Sequence, residues 1–272
     1  MGGLLDKTIA QVETSKKGYY TLCFHDGSTL QVSEDVMVRH RLLKGTVLTE
    51  ADFLKIQADS QLDLGYQRAL VYLNYQMRTE KEIWDYLAKQ EIDVSSRREI
   101  IARLKDLHLL DDVSYGESYV RTMMRTSDKG PKVVAQKLRQ KGVKQEVVDQ
   151  VLPLFTEETE QEIASHVAEK ALVKYQRKSY KEQLQKTRLF LMTKGFTGEV
   201  IDQVMANLSV EKDPEEEVAL LRREGEKLWR KHERKGLAIR KQKTLQSLYQ
   251  KGFDIGMIQE FIGEKELEDE ED

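Results

Sequence analysis

Five histidines, one cysteine and a pair of adjacent aspartates are the residues here with the chemical range for catalysis or metal binding. His25, His40, His108, His166 and His232 are scattered, and no two share the spacing of a metal-ligating pair. Cys23 has no second thiolate to join it, so neither a structural zinc nor a zinc-hydrolase site is expected. The phosphate-cradling GxxxxGK(S/T) loop, the GxGxxG turn after a strand and the GxSxG elbow are all missing. Asp111-Asp112, in "LHLLDDVSYGESYVRT", is the one carboxylate pair that could divide acid and base roles. Adjacent acids opening a helix are better read as N-cap and first-turn residues, stabilised by the helix dipole. No catalytic residue, metal or cofactor is expected, and the chain is read as a non-enzyme.

The remaining chemistry is ionic. Between Arg121 and Lys144 stand eight bases against the single acid Asp128. They are Arg121, Arg125, Lys129 and Lys132, then Lys137, Arg139, Lys141 and Lys144, and together they form the candidate binding surface. A second stretch, Arg222 to Lys243, has ten bases against three acids, with Arg230, Lys231, Arg234, Lys235 and Arg240 as the secondary patch. The end of the chain is opposite in sign, since Glu264 to Asp272 holds seven acids and one lysine. A merely solvated helix face tends to balance its bases with acids one turn away. The first stretch does not, so a docked polyanion or acidic protein explains it better than solvation. Tyr115, Tyr119 and Met123 follow one another at a spacing of four and read as a core stripe rather than a base-stacking face.

The elements that must position these charges are mostly helices. Three prolines in 272 residues, with Leu, Lys, Glu, Gln and Arg abundant, favour helix throughout most of the chain. The first 60 or so residues differ. "TIAQVET", "YYTLCFHD" and "TLQVS" are β-branched and aromatic, with a turn at Asp26-Gly27, and predict about three antiparallel strands. Ser33 then caps a short helix with Glu34 and Asp35 in its first turn, ended by "LLKG", and Thr49 opens another with a capping-box-like Asp52. No apolar run reaches the roughly 20 residues a membrane span needs, and a lone cysteine suits a reducing compartment. A cytoplasmic protein is expected.

One skeleton occurs four times: "YLAKQEIDVSSRREIIARL", "KLRQKGVKQEVVDQVLPLF", "FLMTKGFTGEVIDQVMANL" and "SLYQKGFDIGMIQEFIGEK". Its anchors are Leu87, Leu138, Leu191 and Leu248, at intervals of 51, 53 and 57 residues. Five residues on stand Ile92, Val143, Phe196 and Phe253, and eight and nine beyond these lie apolar pairs from Ile100/Ile101 to Phe261/Ile262. The interval leaves room for one further helix per unit, which predicts tandem three-helix repeats stacked as a curved, elongated array. Gly142, Gly195 and Gly252 fit the left-handed position after a helix end, and the apolar residue that follows folds back on the helix. Gln90-Glu91 replaces Lys-Gly in the first unit, so that helix should be capped differently or turn less tightly. The expected domains are a β-rich 1–60, repeats at 61–125, 126–180 and 181–235, a partial fourth at 236–263 and an acidic tail at 264–272.

The stretch "LHLLDDVSYGESYVRTMMRTSDKGPKVVAQKLRQKGV" resembles the central block of the bacterial RecX family, where an LDD…YVR helix precedes a KGP motif and a KGI turn. "ALVYLNYQMRTEKEIWDYL" is similar to the family's first helices and "FLMTKGFTGEVIDQV" to its third-repeat signature, so the likeness spans about residues 66 to 208. The N-terminal strands and fourth unit resemble the longer members found in Gram-positive bacteria. The departures are Gln90-Glu91 for the usual Lys-Gly and Val143 for the usual isoleucine. The resemblance implies a regulator that binds RecA filaments on DNA, lodging in their groove, and lowers ATPase, strand-exchange and coprotease activity; a monomer is expected. Direct contact with single- or double-stranded DNA is also expected, and none with a membrane. Two other readings stand beside it, an autonomous DNA-binding repeat protein and a scaffold for another acidic partner.

Overall fold

The structure, a computed structural model, describes residues 6–15, 18–208 and 213–271. It divides into two compact units, Met1–Ser118 with Leu138–Val151, and Tyr119–Lys137 with Leu152–Asp272. Among the described residues no helix is long and apolar enough to cross a membrane.

The first unit opens with β1 (Lys7–Thr14), β2 (Tyr19–Phe24), β3 (Thr29–Ser33), α1 (Glu34–Arg39) and β4 (Val47–Leu48). The strands form one antiparallel sheet in the order β3-β2-β1-β4. This is one strand more than the sequence predicts, because β4 is only two residues long and too short to show any alternation. Ser33 caps α1 as expected, its hydroxyl accepting from the Val36 N–H. The helix stops at His40, before the Leu-Leu-Lys-Gly run, since Arg41 turns into the left-handed region and returns Leu42 to the core.

Next comes α2 (Glu50–Tyr75). At its cap, Thr49 accepts from the Asp52 N–H and donates its hydroxyl to the Asp52 carboxylate, so only half of the expected capping box forms. One helix serves two cores. Ile56 packs with Ile9, Leu22, Phe24 and Val32 of the sheet, whereas Tyr66 and Ala69 pack with the helices that follow. The expected boundary at 60/61 therefore falls within a continuous helix.

After it come α3 (Glu80–Lys89), α4 (Val94–Asp106), α5 (Asp112–Thr126), α6 (Pro131–Gln140) and α7 (Gln145–Val151). The second compact unit continues with α8 (Glu157–Tyr175), α9 (Tyr180–Lys194), α10 (Gly198–Asn207), α11 (Pro214–Lys231), α12 (Leu237–Gln250) and α13 (Ile255–Glu271). Packing sets the phase of the repeats. Ala164, Leu191 and Val204 bring α8, α9 and α10 into one core, and Leu221, Leu248 and Phe261 do the same for α11, α12 and α13. The last unit is thus a complete three-helix unit, where the periodicity after Gly236 suggested a partial one. Its first helix was hidden because α11 carries no copy of the repeated skeleton.

The repeated turn forms in every unit. The carbonyls of Leu87, Leu138, Leu191 and Leu248 accept from the N–H groups of Ile92, Val143, Phe196 and Phe253, all eight residues being buried. This is the 6→1 bond of a Schellman turn. Gly142, Gly195 and Gly252 sit at φ 87°, 86° and 87°. The first unit makes the same turn without glycine, because Glu91 itself takes φ 61°. It is neither differently capped nor looser.

Candidate functional site

The pair Asp111-Asp112 resolves into two caps. Asp111 accepts from the Val113 N–H and the Ser114 hydroxyl, which hold its carboxyl below the usual range. Asp112 reaches across to the first turn of α3, where its Oδ1 accepts from the Glu80 N–H at 2.9 Å. Burial pushes its carboxyl up. Both acids are engaged in holding helix ends, as their position at a helix start suggests.

A second joint brings helix ends together. Thr79 caps α3 in a full capping box with Glu82, and its buried hydroxyl also donates to the Lys141 carbonyl at the end of α6. Ser179 does the same for α9, accepting from the Glu182 N–H and donating to the Lys251 carbonyl at the end of α12. At the start of α6, Pro131 has no N–H, so its neighbours Gly130 and Lys132 donate to the Lys194 and Gly195 carbonyls at 2.8 and 3.1 Å. At α6 backbone donors of the helix start meet the orphan carbonyls of another helix end, and at α3 and α9 the hydroxyl of the capping residue does so. Thr79→Ala removes both the cap and the bond to Lys141, and it should lower stability in urea unfolding by about 1–2 kcal/mol. A loss below a few tenths of that would show that the joint adds nothing.

The joint changes how the lysines of the Lys-Gly turns are understood. Lys141 pairs with Glu82 at 2.8 Å, Lys194 with Asp128, and Lys251 with Glu224 at 2.6 Å. Glu82 holds the Lys141 ammonium above its ordinary value, while Lys251 and Lys227 hold Glu224 down to about 2. Lys141, expected among the docking bases, is half-buried and bound into the fold. Its role was hidden because its partner lies 59 residues earlier in the chain.

The other candidates fall as follows. Arg121 and Arg125 are exposed on α5. Lys129 is half-buried in the following loop beside Asp128, at 3.2 Å. Lys132, Lys137 and Arg139 are exposed on α6, and Lys144 is exposed just before α7. Among the described residues, Lys132, Lys137, Arg139 and Lys144 have no carboxylate within ion-pair distance; Arg139 bonds the Gln145 amide at 3.2 Å. Lys132 and Arg139 are seven residues apart and share one face of α6.

In the secondary patch, Arg230 pairs loosely with Glu226 at 3.6 Å, and Lys231, Arg234 and Lys235 are exposed around the end of α11. Arg240 is different. Its guanidinium lies 4.2 Å from the Trp229 ring centre, its Nε donates to the Trp229 carbonyl, and it pairs with Asp269 at 2.6 Å. It is a packed residue of the unit core. The expected acidic tail is, as far as Glu271, the end of α13.

Some basic side chains on aromatic rings had no signal in the linear sequence. In the first repeat, Arg78 covers Tyr72 at 4.0 Å, Arg97 covers Trp84 at 4.4 Å and Arg103 covers Tyr66 at 4.1 Å. Tyr72 stacks in turn on Tyr86, with ring centres 4.2 Å apart. Arg97 and Arg103 of α4 meet rings of α3 and α2, and Arg78 folds back from the loop after α2, so helical periodicity could not pair them.

Tandem three-helix units with basic charge exposed on their faces define a helical-repeat protein. Comparison with known proteins gives the family. The model described as the first three-helix domain of RecX matches residues 66–104, and the second matches 111–152. The third matches twice, at 158–205 and 215–262. The chain is 48% identical to the regulatory protein RecX of Enterococcus faecalis, over 97% of this chain and 99% of that one. It is 38% identical to the protein of that name from Levilactobacillus brevis, over 94% and 97%. A crystal structure of regulatory protein RecX is similar at a TM-score of 0.63 and 36% identity, covering 75% of this chain and all of that one. A RecX crystal structure from Lactobacillus salivarius is similar at a TM-score of 0.53 and 42% identity, covering 54% and 96%. The chain belongs to the RecX family of regulatory proteins.

Proposed function

We propose that this chain is a non-catalytic, monomeric, cytoplasmic regulator that binds RecA filaments assembled on DNA and lowers their ATPase, strand-exchange and coprotease activities. Family membership supports the regulatory class. The observation that carries the surface is the exposed, one-signed charge of Lys132, Lys137 and Arg139 on α6, with Lys144 beyond it, none of them held by a carboxylate among the described residues. A recombinase filament on DNA offers both phosphates and acidic protein, which such a surface suits.

The test is RecA ATPase on single-stranded DNA, with and without this protein at a substoichiometric ratio. A clear fall in steady-state hydrolysis at one copy per ten or more RecA monomers is expected. Unchanged hydrolysis together with tight, steeply salt-dependent binding to free DNA would favour the autonomous DNA-binding reading instead.

A further inference from the structure

The last turns of α13 are attached differently from the rest of that helix. Ile258, Phe261 and Ile262 are buried in the core of the fourth unit, but none of residues 263–269 is buried, and Leu267 is 65% exposed. Ion pairs hold the end instead. Glu264 meets Arg222 of α11 at 2.8 Å, Asp269 meets Arg240 of α12 at 2.6 Å, and Glu266 meets Lys241. Lys265 adds a further link to Glu226 of α11 at 2.5 Å. Three acids thus neutralise three bases of the basic stretch, on both flanking helices.

Beside them lies a second group that no acid neutralises. Lys231, His232, Lys235 and Lys243 gather around the end of α11 and the start of α12. Among the described residues no carboxylate lies within ion-pair distance of any of these four. Lys243 and Lys231 hold the Lys235 ammonium below its ordinary amine value. Partial desolvation and the lysines Lys235, Lys231 and Lys243 likewise hold His232 down. Cations that repel one another in this way are relieved when an anion sits among them.

From these contacts we propose that the α11–α12 face of the fourth unit is a binding surface for the phosphate backbone of a nucleic-acid strand, and that the acidic end of α13 is a displaceable cover on it. The acids occupy places that phosphates would take. The cover is held by charge rather than by apolar burial, so a polyanion competes with it directly and salt loosens it. The inference stands apart from the filament reading, because it concerns free nucleic acid and needs no recombinase.

The experiment is fluorescence anisotropy with a labelled thirty-nucleotide oligo-dT, on the full chain, over a salt series. The variant Glu264→Gln, Glu266→Gln, Asp269→Asn keeps side-chain shape and removes the competing charge. It should bind about tenfold more tightly at low salt. Its dependence on salt should also be steeper by up to about 1.4 in the log–log slope, as Arg222 and Lys241 become free to release counterions, each worth roughly 0.7 on a single strand, while Arg240 stays packed on Trp229. Adding Lys231→Ala, Lys235→Ala and Lys243→Ala to that variant should remove the gain. Circular dichroism checks that all forms keep the parent's helicity. Equal affinity of parent and neutralised variant at low salt would overturn the proposal, as would a gain for polyglutamate with none for the oligonucleotide. A gain that survives loss of the three lysines would overturn the placement of the surface.

Discussion

Replacing Gly195 by alanine is expected to cost about 3 kcal/mol of stability, while replacing Glu91 by glycine at the equivalent turn should cost nothing or stabilise slightly. Both residues occupy the left-handed region, at φ 86° and 61°. That conformation alone costs a non-glycine residue roughly 1–2 kcal/mol. Contact decides the difference. A Cβ on Gly195 would stand 2.7 Å from the Val133 backbone N and 2.6 Å from its Cγ2, and backbone at a helix start cannot withdraw as a flexible side chain can. Overpacking of this kind adds about 1–3 kcal/mol. Gly130 meets the same joint from the other side, where a Cβ would lie 2.5 Å from the Gly195 carbonyl oxygen. Glu91 is exposed. The glycine of the Lys-Gly turn is thus required where another helix start docks against it, and the first repeat lacks it where the turn faces solvent. Urea unfolding of Gly195→Ala and Glu91→Gly tests this, and a loss under about 1 kcal/mol for Gly195→Ala would remove the docking argument.

Much of this architecture is legible in the sequence because it is local. Leucine, turn and returning apolar residue lie within six positions, so their spacing reports the Schellman turn directly, and Ser33, Thr49 and Asp111 announce their caps by type and place. What stayed hidden depends on partners far along the chain. Thr79 and Lys141 are 62 residues apart, and Ser179 and Lys251 are 72 apart. A lysine that precedes a glycine looks like any other surface base until the acid facing it is known. From sequence Lys141 therefore reads as a docking residue and Arg240 as part of the exposed patch, although Glu82 holds the first and Trp229 and Asp269 hold the second. The two-residue β4 and the skeleton-free α11 were missed for a simpler reason, since neither carries a pattern long enough to register.

Separating Lys141 from its neighbours sharpens the test of function. The double reversal Lys132→Glu, Arg139→Glu changes two exposed side chains on one face of α6, and no carboxylate partner loses an ion pair. Exposed substitutions of this kind usually move stability by less than about 0.5 kcal/mol, so helicity and melting should match the parent. Lys141→Glu is different, because it sets a second carboxylate beside Glu82 where an ammonium stands at 2.8 Å. Its cost should be about 1–2 kcal/mol, from the lost pair and the new repulsion. On RecA–DNA filaments the order reverses. The double variant should bind at least tenfold more weakly, with a shallower salt dependence because fewer counterions are released, while the Lys141 variant should bind in proportion to its folded fraction. Co-sedimentation with filaments across a salt series reads both effects, and free-DNA binding by the double variant assigns the contact. Filament binding lost with free-DNA binding intact places α6 against the recombinase, and parallel loss of both places it against phosphate. A folded double variant that inhibits RecA as well as the parent would return α6 to the status of a solvated face, because a charge that contacts the filament cannot be reversed twice on one face without loss.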